Sequence, residues 1–557
     1  MKMKMAIPVL IVAILSVVAA AQMDYQWVNP AGGSYADPNN WLPEGIPGSA
    51  DRAYFGLSAT YPIVFDTDWV WGRLMVDGGE TDMDMMSHRL DLVWTAPSDD
   101  AAVIGHRYAG KLLLTNGSIY SGSVTLGRNG DAFGALQVSS GGFWEARRDP
   151  EWQPIWIGFS GDADMTVDSG GIVRQGHGAV AVMPGSTARI SVFGGSTWYV
   201  DGWFGTGVAG DATVTSDFGL IDIGRTELGI EAGSRVRMTL DHSSNMQLRA
   251  FWETSLTIGQ SGTALLTVTN GSLLTNQGKL SIAAYPGSSG TLHVLNMATV
   301  AVQSTMIVGG REEVDPDTQI VRVEDGGTGS VRVEDGSVLW VGTGAGSTLN
   351  IRRDGKIHLE SGCLMKMLDD NSQTLGTMLI EGRLDGGGIV QADIVQSGGT
   401  LAPGYGLPEM TPMELTGNYI QDGGDFEVQI QGIDGLHSKL FDQAGSAILN
   451  GNLKVQLVDG FVPKDTDSFT ILEFPGAGIT GTFANASSTI AFDRGTFDVV
   501  YTGTSVALTN FRSETSCPDK PLGDLNGDCR VDLLDLSLMA QNWLQCNLIP
   551  ADLCQPQ

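Results

Sequence analysis

Leu112-Leu113-Leu114-Thr115-Asn116-Gly117 reads as a short strand running into a glycine turn, and the chain returns to that unit seven more times. Aligned on Leu114, the other copies are centred on Val138, Val167, Val192, Val268, Val294, Val333 and Ile351. Two residues before each centre stands an apolar side chain: Leu112, Leu136, Met165, Ile190, Leu266, Leu292, Val331 or Leu349. Alternation with a period of two puts both positions on one face of a strand. Three residues after the centre, six of the eight copies carry Gly (Gly117, Gly141, Gly170, Gly195, Gly271, Gly336), which suits a bend needing positive φ. Six residues after it comes Tyr120, Trp144, Val173, Trp198, Leu274, Val300, Leu339 or Ile357. The next strand is therefore also expected to aim a large side chain inward.

Adjacent copies lie mostly 18 to 29 residues apart, with longer gaps before Val268 and before Val333, the latter holding the charged stretch Arg311 to Asp325. Two or three short strands per repeat, without helical periodicity between them, predict an all-β chain folded as a parallel β-helix, or β-solenoid. One coil cannot bury its own apolar row, but the next coil, about 4.8 Å away, continues it. An array of β-sandwich domains would also use short strands; the repeat is too short to be a domain. The expected organisation is a signal peptide at 1–21, an N-terminal capping β region at 22–100, solenoid repeats at 101–404, a C-terminal β region at 405–511, and a tail at 512–557. Trp27 and Trp41 are expected either to plug the exposed terminal coil or to stack on sugar rings. Arg311-Glu312-Glu313-Val314-Asp315-Pro316-Asp317 is expected as a solvent loop on a long coil.

Composition bounds the function classes. The 557 residues hold 75 Gly, 42% hydrophobic residues, and 32 basic against 63 acidic side chains, for a net charge of −31. That apolar content argues against long disorder, and so negative a balance excludes nucleic acid as a partner, because phosphates need Lys and Arg. Lys2 and Lys4 precede an apolar run from Ala6 to Ala20, and Ala19 and Ala21 form an A-x-A site. This is the pattern of a secretory signal peptide, with a mature chain starting near Gln22 and no transmembrane anchor in it. Cys517, Cys529, Cys546 and Cys554 crowd into the tail, where an oxidising compartment allows two disulfides in any of three pairings. Their spacing is not a zinc pattern. Cys363, alone, is expected as a buried small hydrophobe.

The Trp-rich opening, the G-T-L-x-V-x-x-G-S repeats and Gly398-Gly399-Thr400-Leu401-Ala402-Pro403-Gly404 resemble autotransporter-type passenger β-helices and related secreted repeat proteins. Leu415-Thr416-Gly417-Asn418-Tyr419-Ile420-Gln421, Gly451-Asn452-Leu453, Gly460-Phe461-Val462-Pro463 and Gly481-Thr482-Phe483 extend the resemblance over about residues 24 to 510. It is architectural and carries no catalytic signature. It implies a surface or matrix protein, some such passengers being adhesins. The chain departs from autotransporters in ending in a cysteine-bearing tail, with no translocator barrel.

In that tail, Asp524-Leu525-Asn526-Gly527-Asp528-Cys529-Arg530-Val531-Asp532-Leu533-Leu534-Asp535 places oxygen donors at loop positions 1, 3, 5, 9 and 12. A Ca²⁺ ion takes six to eight oxygens around a tight loop. Asp524, Asn526, Asp528 and Asp535 supply side-chain oxygens, Arg530 its backbone carbonyl, and Asp532 a direct or water-mediated contact. Leu536, Met539, Ala540 and Trp543 follow at helical spacing. Loop and helix are half an EF-hand, and the pattern resembles one repeat of a type I dockerin. Dockerins carry two repeats and a sixth-position Gly, replaced here by Cys529. The resemblance implies a cohesin-like or surface-attachment partner for the tail.

Searches for chemistry return little. There is no G-x-S-x-G elbow, no H-E-x-x-H helix and no G-x-x-x-x-G-K-[ST] loop. Asp66-Thr67-Asp68 and Asp162-Ala163-Asp164 read as solvated strand faces. Arg147-Arg148 and Arg352-Arg353 read as neutralising acidic neighbours rather than as sugar sites. The expected function is that of a secreted, non-catalytic β-solenoid at the cell surface or in the matrix, adhesive or binding polysaccharide or cell-surface glycan, with a calcium-stabilised attachment module. The competing expectation is a polysaccharide lyase or glycoside hydrolase on a parallel β-helix with a dockerin-like tag. For that reading a cleft with Arg or Lys beside carboxylates would be the sign.

Overall fold

The computed structural model describes residues 22–93, 100–148, 151–250, 254–315, 318–342, 347–367, 374–406, 410–433, 435–513, 521–527 and 529–542. Residues 1–21, expected to form the signal peptide, and Pro316, Asp317, Cys517, Asp528, Trp543, Cys546 and Cys554 lie outside them. Strand takes 54% of the chain and helix 2%, and the strands wind into a parallel β-solenoid of about 16 turns. Two compact units divide it, Met1–Gly224 with Ser234–Val236, and Arg225–Gly233 with Arg237–Gln557.

Each coil consists of a long strand, a turn, and two shorter strands. In the first unit, Ala109–Thr115, Ser118–Ser121 and Val124–Leu126 make one such coil. Each of its strands pairs in parallel with its equivalent in the next coil, Phe133–Val138, Phe143–Arg148 and Ile155–Ile157. The register stacks like on like: Leu112 meets Leu136, then Met165, Ile190 and Val214, all at most 1% exposed. In the second unit the same row runs Leu266, Leu292, Val331, Ile357, Leu384, Leu401, Phe426 and Leu453, none of them exposed. Burying each aliphatic side chain contributes about 1.5–3 kcal/mol, and it can do so only while both neighbouring coils are in place.

Where a coil turns back into its long strand, backbones approach so closely that only Ala or Gly fits. Ala264, Gly290, Gly329 and Gly355 are successive register partners there. A Cβ on Gly290 would stand 2.1 Å from the Ile258 carbonyl oxygen. At the opposite end of the long strand the constraint is angular. Gly271 has open space around it but a φ of +71°, which disfavours any other residue.

Two details of the repeat differ from the expected register. Tyr120 does not point inward; Ile119 does, paired with Trp144 and Arg89's neighbour Leu90. Four residues separate Leu114 from Ile119, whereas five separate Val138 from Trp144, so the period-two phase slips by one residue. Ile351 is buried in a third strand, Thr348–Ile351, beside Val308 and Ile380. The long strand of the next coil is Gly355–Leu359, with Leu359 at the centre and Gly362 three residues on. The row also continues from Val192 to Ser216, a copy hidden by its polar centre. Cys363 is a free, buried thiol, and burial pushes its pKa up.

The ends are built differently. Strand Asp24–Trp27 pairs in parallel with Arg52–Phe55 and antiparallel with Trp41–Leu42. Trp27 and Trp41 are buried, edge to face at 5.1 Å, among Tyr35, Phe55 and Trp71. Their rings close the bore and are not available to stack on sugars. Parallel pairing runs on through Met413–Thr416, Asp425–Ile430 and Asn452–Leu457. Antiparallel pairs then take over, with Ser505–Ser513 against both Phe469–Glu473 and Gly495–Tyr501. The charged insertion is not an irregular loop: Gly310–Val314 and Val321–Asp325 form a two-stranded antiparallel hairpin.

Gly290→Ala is expected to lower unfolding stability by about 1–3 kcal/mol, since backbone atoms cannot yield to the added methyl. Urea unfolding of the full chain checks this, with Gly130→Ala at an open turn, where the nearest atom is 4.0 Å away, expected to leave stability unchanged.

Candidate functional site

The alternation that buries one face of each long strand turns the other face outward, and parallel register lines those side chains into rows. In the second unit one row runs Thr267, His293, Arg332, His358 and Asp385, and the next runs Thr291, Ser330, Lys356, Arg383, Thr400 and Asp425. Neighbours along a row are about 4.8 Å apart, the strand spacing. Arg332, Lys356, His358 and Arg383 are thereby crowded together on a chain of net charge −31.

Asp385 holds this group. Its side chain is fully buried, with His358 Nδ1 at 2.7 Å, Arg383 Nε at 2.6 Å and Lys356 Nζ at 3.0 Å. Burial alone would raise its pKa, but donation from His358, Arg383 and Lys356 outweighs it and holds the carboxyl below the ordinary value. Arg383 also donates from Nη1 to Glu427 at 2.8 Å and lies 4.3 Å from the Tyr405 ring centre. Its Nη2 is buried without a hydrogen-bond partner. One coil away, Arg332 and His293 share Glu334, His293 Nε2 lying 2.6 Å from it. Burial opposes the ionisation of Glu334, and those two partners lower its pKa.

The arrangement leaves defined chemistry at the surface. In the tautomer that donates Nδ1–H to Asp385, His358 offers Nε2 as an acceptor, and that atom has no partner among the described residues. The side chains of Lys356 and Arg332 are about half exposed, at 47% and 53%. Together they present cations and one imidazole to whatever lies along the ladder. Sequence reading missed this site because its members come from separate coils. The visible signal was basic residues recurring at the outward position of successive repeats.

The arginine and aspartate pairs singled out in the sequence are occupied locally. Arg352 bridges Asp325 and Glu381, and Arg147 lies near Glu145; the Arg148 side chain is outside the described residues. Asp162 accepts from the backbone and hydroxyl of Thr187, while Asp66 and Asp68 are exposed.

In the tail, Asp524 and Asp535 are brought inside the loop, 3% and 2% exposed. Asp524 accepts the backbone N–H of Gly527 and Cys529 at 2.6 and 2.9 Å. Asp535 accepts those of Leu525, Asn526 and Asp532 at 2.6, 3.2 and 2.8 Å, and these bonds, that of Asp532 foremost, lower its pKa. Asp532 caps the helix Leu533–Asn542 by accepting from Leu534 N–H, so Asp532 and Asp535 close a capping box. Arg530 and Asp532 are exposed, Asn526 is half-buried, and Asp528 is outside the described residues. Cys529 adopts φ +69°, the left-handed turn a glycine would favour at the sixth position, and is disulfide-bonded. Among the described residues, from which Asp528 is missing, no three His, Cys, Asp or Glu side chains converge as metal ligands.

No protein family and no curated protein matches this chain. Among the described residues no helix is long and apolar enough to cross a membrane.

Asp385→Asn is expected to cost about 2–3 kcal/mol, because His358 and Arg383, partly buried, and Lys356, half exposed and so more screened, lose the buried carboxylate they share. The sign with pH follows from the lowered carboxyl. Its contribution is complete above the ordinary aspartate value of 3.8 and is lost as pH falls through the lower folded value. Thermal melts between pH 7 and 2 should therefore show an acid-induced loss of stability that is smaller in the variant.

Proposed function

We propose that this chain is a secreted, non-catalytic β-solenoid of the cell surface or matrix that binds polysaccharide along its outward ladder and attaches through a calcium-stabilised C-terminal module. The observation that carries the reading is the cationic stretch of ladder around Asp385. A polymer lying along stacked coils would meet the half-exposed Arg332 and Lys356 on successive coils, and Arg and Lys favour acidic sugars among such polymers. The basic-apolar-small pattern of residues 1–21 supports export.

The tail residues fit a hard cation by their chemistry. Asp524, Asn526, Asp528 and Asp535 offer carboxylate or amide oxygens, Arg530 a carbonyl, and Asp532 a direct or water-mediated contact. The buried positions of Asp524 and Asp535 and the left-handed turn at Cys529 support the same reading. A bound Ca²⁺ would neutralise the inward carboxylates and hold loop and helix together for a cohesin-like or other surface partner. Calcium is expected to increase hydrogen-exchange protection across 521–542, with Asp535→Asn weakening calcium affinity about tenfold or more; calcium titration followed by exchange mass spectrometry checks both.

A second reading, a polysaccharide lyase or glycoside hydrolase, is favoured by the geometry of His358. Its free Nε2, oriented by Asp385 and flanked by Arg332 and Lys356, is placed as a base beside cations that would neutralise a sugar carboxylate. One assay separates the readings. The secreted chain, with calcium, is incubated with acidic and neutral polysaccharides, and bound protein and released ends are measured together. Retention on acidic polymers without new ends, weakened by Lys356→Ala and Arg332→Ala, is the expected result. Unsaturated ends abolished by His358→Ala would overturn the non-catalytic reading, and binding to no polymer would overturn the polysaccharide reading itself.

A further inference from the structure

A second candidate site lies in the first unit, away from the ladder. A cleft of about 370 Å³ opens over the outer face of strands Asp24–Trp27, Arg52–Phe55 and Arg73–Val76, a size within the range of small-ligand sites. Gln26, Tyr54 and Met75 are successive register partners on its floor, and His106-Arg107-Tyr108 from a later coil forms its wall.

That wall is held by one buried carboxylate. Asp77, 3% exposed, accepts three consecutive backbone N–H groups through Oδ1, from His106, Arg107 and Tyr108, at 2.8, 2.7 and 3.0 Å. Charge-assisted bonds of this kind are among the stronger ones, and using three on one tripeptide fixes the direction of its side chains. They stand at the lip of the cleft: Tyr108 is 66% exposed, and the Arg107 guanidinium makes no ion pair or hydrogen bond among the described residues. The other charges are spent. Asp24 pairs with Arg52, and the Asp77 carboxylate takes three backbone N–H groups on Oδ1 and a hydrogen bond from the Tyr54 hydroxyl. Burial lowers the pKa of His106 and favours its neutral form. The exposed charge at the mouth that lacks a direct ion-pair partner among the described residues is therefore that of Arg107, beside an exposed phenol ring, while the Asp77 carboxylate is buried.

We propose that this cleft is a binding site for a single carboxylated sugar, with Tyr108 covering the ring, Arg107 pairing with the carboxylate, and Gln26 hydrogen-bonding the hydroxyls. It extends the polysaccharide reading with a site for a chain end or side branch, and its residues are separate from those of the ladder. Because Asp77 grips only the backbone of residues 106–108, Tyr108→Ala and Arg107→Ala remove the contacts and leave the clamp intact. Asp77→Asn weakens the clamp itself, so Asp77 is a positioning residue.

The test is calorimetric titration of the secreted chain with a galacturonate trimer and with the corresponding neutral galactose trimer. One-to-one binding of the acidic trimer is expected, weakened about tenfold or more by Tyr108→Ala or Arg107→Ala and unchanged by Lys356→Ala. The neutral trimer should bind at least about tenfold more weakly. Unchanged affinity in both cleft variants would overturn the site, and equal affinity for the two trimers would overturn its preference for an anionic ligand. No trimer binding by a protein still retained on acidic polymers would overturn the cleft while sparing the ladder reading.

Discussion

Everything in this fold depends on parallel coils staying in register. A coil buries Leu292 only because Leu266 lies on one side and Val331 on the other, and the backbone hydrogen bonds between coils fix that alignment. A slip of one residue would turn every inward side chain outward. The same register demands small residues where backbones converge, as at Ala264, Gly290 and Gly329, and left-handed turns where the long strand ends. Gly, at 75 of 557 residues, is a consequence of that geometry more than of flexibility. An exposed terminal coil would leave unpaired strands and an open bore; the buried aromatic group around Trp27 and Trp41 closes one end, and antiparallel strands finish the other.

Register also organises the surface. Side chains 17 to 39 residues apart in sequence become neighbours along an outward row, so charges of one sign would repel one another unless acids were interleaved. Asp385 meets this constraint by standing beside His358, Lys356 and Arg383 at once. The cluster is close to neutral, yet it exposes cations, because the carboxylate is buried and the ends of Lys356 and Arg332 are not. A similar economy operates at Asp77, where a buried acid bonds to backbone and the exposed products are a guanidinium and a phenol.

The tail follows a different logic. Its loop is held by carboxylates that accept backbone N–H groups from within a dozen residues, and its helix begins at a capping box formed by two of the same residues. Spacing named Asp524, Asp532 and Asp535 as oxygen donors for a cation; that they accept backbone N–H groups of their own loop is what the structure adds. The displacement of Gly by Cys529 was visible too, and the left-handed backbone there shows that the turn keeps its usual form despite the substitution.

The sequence by itself determined that the chain is all-β and winds as a solenoid, because apolar residues two apart, followed by glycine at a constant offset, encode strand and turn locally. It also marked most inward positions, from Leu112 to Leu339. It misplaced Tyr120 and Ile351 because turn length varies between coils, and period two carries no memory across a turn. Only the tertiary structure decided whether Trp27 and Trp41 face the bore or solvent, since an aromatic side chain suits both. It alone joined Arg332, Lys356, His358, Arg383 and Asp385, or Asp77 with residues 106–108. Those groupings arise from stacking distant segments, and no local pattern records which coil will lie beside which.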